Sequence, residues 1–244
     1  MTPSFFVGYL PAPPDVRRFA FITAALAVAL SAILALALGA PPTPPGDGGF
    51  GDEVSVAGIY QARPYPIILQ PPDAAHPLGH TWMLASDGKV GAQGAGIEYD
   101  QKAVAAKGVV VKRGDIDMLV IPVDDGLAPA PPMAAAMSAA PLGRWRIGGE
   151  ICDGKCAAGA MAPGTGLAHK ACANLCLAGG VPPVLVSQAP VEGRSFFLLA
   201  DADGGPAPSA MADLTALPVT LEGDLERRGD LLVFRVDWKK AIAR

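Results

Sequence analysis

Aromatic residues make up only 6% of the 244-residue chain and charged residues 17%. The scarce basic residues form no stripe, and the net charge is −4. Residues 1–40 hold two of the basic residues and only one acidic residue, so the remainder is more acidic still. An acidic body without clustered Lys and Arg argues against nucleic-acid phosphates as a partner. Catalytic signatures are missing as well: the chain has no G-x-x-x-x-G-K-[ST] loop, G-x-S-x-G elbow or H-E-x-x-H pair,. C-x-x-C-H, the haem attachment site, is absent, as is a thioredoxin-type C-x-x-C,. These absences lead to the expectation of a protein that is not an enzyme. Cysteine is rare too: there are four, all between positions 152 and 176.

Glycine (29) and proline (25) are abundant, which favours short strands and many turns over long helices. One long apolar run stands apart. Phe19–Leu38 carries no charge; at about 1.5 Å per residue it would span roughly 30 Å, the thickness of a bilayer's hydrocarbon layer. Arg17 and Arg18 precede it and Pro41 and Pro42 follow. The expectation is a cytoplasmic tail (1–18), a transmembrane helix (19–39) and a large exported part, by the positive-inside rule. A cleaved signal peptide is the competing reading, with Ala35–Ala37 as its cleavage box. The prolines just beyond Ala40 count against it. The expected location is a bacterial inner membrane, crossed once, with the C-terminal part periplasmic. Both readings put the folded part in an oxidising compartment.

Within that part, residues 40–50 and 127–142 are rich in Pro, Gly or Ala and are expected to be linkers. The segments they bound repeat. Val104, Gly108, Arg113, Gly114 and Asp115 recur as Val219, Gly223, Arg228, Gly229 and Asp230, at a constant offset of 115. Each copy predicts strand, Gly-Asp turn, strand, with Met118–Ile121 and Leu231–Phe234 following the turns. Trp82–Ala85 and Ser195–Leu199 are expected as middle strands. Val54–Tyr60 and Trp145–Ile151 are expected as first strands, bent at Gly58 and at Gly148-Gly149. This pattern resembles the five-stranded barrels of the oligonucleotide/oligosaccharide-binding (OB) type. The resemblance implies a mainly β protein with two tandem OB-like barrels, 51–126 and 143–244, after one transmembrane helix. The Arg-Gly-Asp triplets at 113–115 and 228–230 are hairpin turns on this reading.

The cysteines fall in an insertion of the second unit. Leu167–Cys176 has helical character, with Gly179-Gly180 as a stop. On such a helix His169, Cys172 and Cys176 stand at i, i+3 and i+7, within roughly 60° of arc. Cys156 lies on the loop before it and can face that stripe. Cys156, His169, Cys172 and Cys176 form a Cys3His set suited to zinc, or to copper as Cu(I), with Met161 as an additional soft donor. An even number of cysteines in an exported domain has disulfides among Cys152, Cys156, Cys172 and Cys176 as its default. Each bridge would contribute about 3 kcal/mol by restricting the unfolded chain. A reversible thiol pair is the third alternative.

The segment resembles a motif of exported bacterial proteins. It reads Asp153-Gly-Lys-Cys156, Met161-Ala-Pro163, His169-Lys-Ala-Cys172-Ala-Asn-Leu-Cys176 and Gly179-Gly180, followed by an apolar strand. The resemblance implies export and tandem OB-like domains, and it implies no activity. An aliphatic residue is expected where this chain has Cys152. Weaker signals are read as structural. His76-Pro-Leu-Gly-His80 is expected to be a surface loop, Met133 and Met137 part of a linker, and Asp201-Ala-Asp203-Gly-Gly a turn lacking the later ligands of a calcium loop. Taken together, the chain is expected to be a membrane-anchored periplasmic accessory, assembly or interaction module for a membrane redox or transport complex. Its expected partners are the inner membrane and a membrane protein. The alternative is a zinc- or copper-binding, or thiol-redox, protein that uses the Cys/His cluster.

Overall fold

The computed structural model describes residues 12–39, 46–93, 96–123, 126–133 and 139–243. Two compact units result, residues 1–40 and 41–244. The first holds helix α1 (Pro14–Gly39), with Asp15 in its first turn. Proline at the start and an acid in the first turn suit a helix N-terminus, where backbone N–H groups lack partners. The helix therefore starts earlier than expected and takes in Arg17 and Arg18. It is long and apolar enough to cross a membrane, and its side chains from Pro14 to Leu36 are exposed. Residues 1–11 of the expected tail, residues 40–45 of the first linker and Met137 lie outside the described residues.

The second unit is mainly β and begins with β1 (Gly49–Gln61), β2 (Ile67–Leu69), β3 (Thr81–Ser86), β4 (Ala103–Arg113), β5 (Ile116–Ile121) and β6 (Leu127–Pro129). Strands β1 to β5 pair in the ring order β1-β2-β3-β5-β4-β1, with β3 and β5 parallel and the other pairs antiparallel. The chain then repeats the arrangement with β7 (Ala140–Asp153), β8 (Pro183–Val191), β9 (Arg194–Asp201), β10 (Pro218–Arg228), β11 (Leu231–Val236) and β12 (Ile242–Ala243). The second ring is β7-β8-β9-β11-β10-β7, with β9 and β11 parallel. Two five-stranded OB-like barrels stand in tandem. Glycine opens both repeat hairpins: Gly114 has φ +55° and Gly229 φ +60°. A two-residue turn with Gly first matches the twist of the flanking strands.

The second linker is shorter than its composition suggested. Leu127–Pro129 pairs with β4 as β6, and β7 already begins at Ala140. β12 pairs with β10 in the same manner. Leu127 and Ile242 are again 115 residues apart, so the repeat includes this added edge strand.

Alternation along the strands feeds three cores. Val56, Tyr60, Ile68, Leu84, Leu119 and Ile121 fill the first barrel. Ile147, Leu185, Phe197, Leu199, Leu232 and Phe234 fill the second. The residues between them, Met83, Met118, Val120, Val184, Phe196, Leu198 and Val233, point outward into a third core that joins the two barrels. Strands buried on both faces read as unbroken apolar runs, as Met118–Ile121 and Phe196–Ala200 do.

The repeat hairpins cross this joint reciprocally. Asp115 of the first barrel accepts the Ser195 N–H of the second (2.7 Å), and Asp230 of the second accepts the Thr81 N–H of the first (2.8 Å). Both Arg-Gly-Asp triplets are thus hairpin turns, as expected, and their acids clasp the partner barrel. His80 is not on a surface loop. It is buried, with Nδ1 2.7 Å from Asp230 Oδ2 and Nε2 3.8 Å from Asp117. The hairpin of the second barrel covers it, a contact that local composition does not encode. Asp201–Gly205 closes as a turn: the Gly205 N–H donates to Asp203 Oδ1 and the Asp201 N–H to the Gly205 carbonyl.

Candidate metal centre

The connection between β7 and β8 carries the cluster. After β7 the chain makes one wide turn over Cys156–Ala160, a short 3-10 turn over Leu167–His169, and then helix α2 (Lys170–Ala178). Asp153 starts it: its Oδ1 accepts the Cys156 N–H (2.9 Å) and its Oδ2 lies 3.1 Å from His169 Nε2. One buried carboxylate therefore ties the wide turn to the start of the helix. Glycine then permits docking onto the first barrel. A side chain at Gly179 would collide with the Lys89 carbonyl, and Gly180 has φ +92°. The Gly91 N–H donates to the Gly179 carbonyl (2.9 Å), and Gln93 donates to that of Gly180. The Gly-Gly pair is more than a helix stop, because it lets two backbones meet.

The sulfur atoms of Cys156, Cys172 and Cys176 lie within 4.8 Å of one another. Cys172 Sγ is also 3.5 Å from Met161 Sδ. The Asp153 carboxylate, Cys156 Sγ and a His169 ring nitrogen form a second group that shares Cys156, with the same 4.8 Å limit. His169 precedes α2 rather than standing on it, and its nearest partner is Asp153. Cys156 and Cys176 are 5% and 2% exposed, whereas Met161 is 44% exposed and Cys172 half-buried.

Two lysines that sequence reasoning passed over complete the site. Lys89, from the loop after β3, donates to Cys172 Sγ at 2.7 Å and lies 3.9 Å from Cys176 Sγ. Lys155 is buried and donates to the Ser86 and Gly88 carbonyls at 2.5 and 2.9 Å. The Asp-x-Lys-Cys motif marked Lys155 without a role. Nothing marked Lys89, which is 83 residues from Cys172. A cavity of about 220 Å³ lies among Phe50, Lys89, Lys155, Cys156, Met161 and Cys176.

These contacts divide the thiols. Cys176 is lowered to about 7, first by the hydrogen bond it receives from Cys156 and then by the Lys89 charge and Cys172, against its burial. Cys156 is raised in return, because it donates that bond and is buried. The bond to Cys172 raises the Lys89 ammonium, and burial lowers that of Lys155. Cys152 is apart from the cluster. It sits in the joint core and donates to Glu150 Oε1 (3.3 Å), and burial followed by the Glu150 charge pushes it well above its usual value.

The two expected disulfides are not formed: all four cysteines are free thiols. The even count that favoured bridges included Cys152, whose side chain turns into the core. The three that converge form an odd set. For a tetrahedral ion with bonds of about 2.3 Å, sulfur atoms stand about 3.8 Å apart, a spacing compatible with the 4.8 Å limit that the triad meets. Comparisons with family models, curated proteins and solved structures give no match, so the chemistry is read from the site itself.

Proposed function

We propose that this chain is a membrane-anchored, exported protein that binds a soft metal ion through Cys156, Cys172 and Cys176. It would act without catalysis, as an accessory or assembly module of a membrane redox or transport complex. The observation that carries this reading is the convergence of three free thiols beside a thioether, with an ammonium from each barrel next to them. All-sulfur donor sets favour Cu(I) over harder ions. Three thiolates around Cu(I) leave a charge of −2, which Lys89 and Lys155 offset. His169, held by Asp153, would serve as support around the site rather than as the nearest donor. Zinc, through a Cys3His set, is the competing occupant.

Two further features support a module rather than a nucleic-acid binder. The chain is acidic, and the strand 2–3 faces through which OB barrels take oligonucleotides are turned into the joint core here: Ile67 and Met83 in one barrel, Val184 and Phe196 in the other.

The test is anaerobic titration of the full chain in detergent with Cu(I) and, separately, Zn(II), beside a thiol count. The expected result is one Cu(I) per chain with three thiols protected, unchanged in Cys152→Ser and lost in Cys172→Ser with Cys176→Ser. Absence of stoichiometric metal from the reduced chain would overturn the proposal. One Zn(II) per chain, lost in His169→Ala, would replace copper with zinc.

A further inference from the structure

The donors are graded in exposure. Met161 is 44% exposed, Cys172 half-buried, and Cys156 and Cys176 are 5% and 2% exposed. Sites that hold an ion for structure alone fill every coordination position with protein ligands, whereas sites that act on something else keep one open. Here the outermost donor is a thioether in contact with water, 3.5 Å from the half-buried thiol. A thioether is neutral and soft, so it can take up or release Cu(I) without exchanging a proton. The next donor, Cys172, has a cation beside it: exposed Lys89 donates to its sulfur at 2.7 Å. The cavity reaches from Met161 to the inner pair Cys156 and Cys176, with Phe50 beside it, 62% exposed.

Resting on the metal-binding reading above, we infer that Cu(I) is cargo, passed through the Met161–Cys172 edge by direct ligand exchange with a partner that presents its own sulfur donors. No electron moves, and copper stays Cu(I) throughout. In the outward direction a bond from copper to a partner sulfur forms as the copper–Cys172 bond breaks. If the incoming donor is a thiol, the proton it loses goes to the released Cys172 thiolate, so protons and charges balance. Met161 holds the ion between the two; the inner pair lets go last, each copper–thiolate bond broken there being replaced by a bond to a further partner donor, and where that donor is a thiol its proton passes to the thiolate released.

The test uses the full chain in detergent, loaded anaerobically with Cu(I) and mixed in stopped flow with the coloured Cu(I) chelator bicinchoninate. Exchange through the edge makes the transfer rate rise linearly with chelator concentration. In Met161→Leu, which keeps size and apolar character at an exposed position, the thermal midpoint of the metal-free chain stays as in the parent, and transfer is read per Cu(I) that the variant holds. Its transfer rate falls at least about tenfold, the lower end of what loss of a metal-site partner costs. A loaded parent whose rate is independent of chelator concentration, or a Met161→Leu chain that transfers as fast as the parent, overturns this inference alone. A parent that takes up no Cu(I) overturns the metal-binding reading and this inference with it.

Discussion

Replacing Asp230 by Ala isolates the clasp between the barrels. Asp230 accepts the Thr81 N–H at 2.8 Å, pairs with His80 at 2.7 Å and lies 3.8 Å from Arg194 Nη2, with its side chain 16% exposed. A hydrogen bond to a charged group contributes about 1.5–3 kcal/mol, and a buried N–H left without a partner costs about 1–3 kcal/mol. His80 can discharge and water can reach the vacated edge, which returns part of this. The expected net loss is therefore about 3 kcal/mol, or roughly 6–12 °C in Tm for a body of this size. Asp115→Ala removes the mirror contact, one bond to the Ser195 N–H, from an acid whose pKa burial raises; it should cost about half as much. Glu53→Ala, which breaks the exposed pair with Lys107, is the control and should cost under about 1 kcal/mol. Calorimetry of the full chain in detergent checks all three. An Asp230→Ala midpoint within 2 °C of the control would refute the clasp as a joint between barrels. The pH dependence has a definite sign. Burial pulls the His80 pKa down, but the bond and charge of Asp230, helped by Asp117, leave it raised. The contribution of His80 is thus complete below about 6.5, its unfolded value, and is lost as pH rises through the raised folded value. Asp230, on balance lowered by His80 despite its burial, contributes above about 3.9 and loses that as pH falls through its lowered folded value. Asp115 and Asp117, raised by burial, work the other way, and their cost is relieved in acid. Stability should decline from pH 6 to 8 in the parent and decline less in His80→Gln.

Two further outcomes follow from the site and the anchor. In the metal-free, reduced chain, alkylation by iodoacetamide should rise through a midpoint near pH 7 set by Cys176; Cys156→Ala, which removes the main hydrogen bond to that thiolate, should move the midpoint up, and an unmoved midpoint would refute the division of the thiols. A reporter fused after Arg244 that is active only outside the cytoplasm should be active, since Arg17 and Arg18 precede the span; activity of a cytoplasm-only reporter would reverse the orientation.

Much of the fold was legible because it is written twice. The 115-residue offset placed β4, β5, β10 and β11 together with their Gly-Asp turns, and strand spacing placed β1, β3, β7 and β9. β2 has three residues and β12 two, too short for any periodicity to mark. Leu127–Pro129 carried Pro and Ala and resembled a linker, yet pairing with β4 overrode that composition. At the site, helical spacing put Cys172 and Cys176 on one face toward Cys156. It could not show that His169 would stop short of the helix on Asp153, since a 3-10 turn shifts the angle of everything before it.

By itself the sequence determined the apolar helix, the β class, the duplication and the clustering of all reactive sulfur in one insertion. These rest on local periodicity, turn chemistry and chain proximity, which act over a few residues. Only the tertiary structure decided that the barrels share a core, that each Asp of the repeated turns caps the other barrel, that His80 is buried, and that Cys152 leaves the cluster while Lys89 joins it. Those outcomes depend on which faces of doubly apolar strands meet. A strand with two apolar faces records that it is buried on both sides but not what buries it.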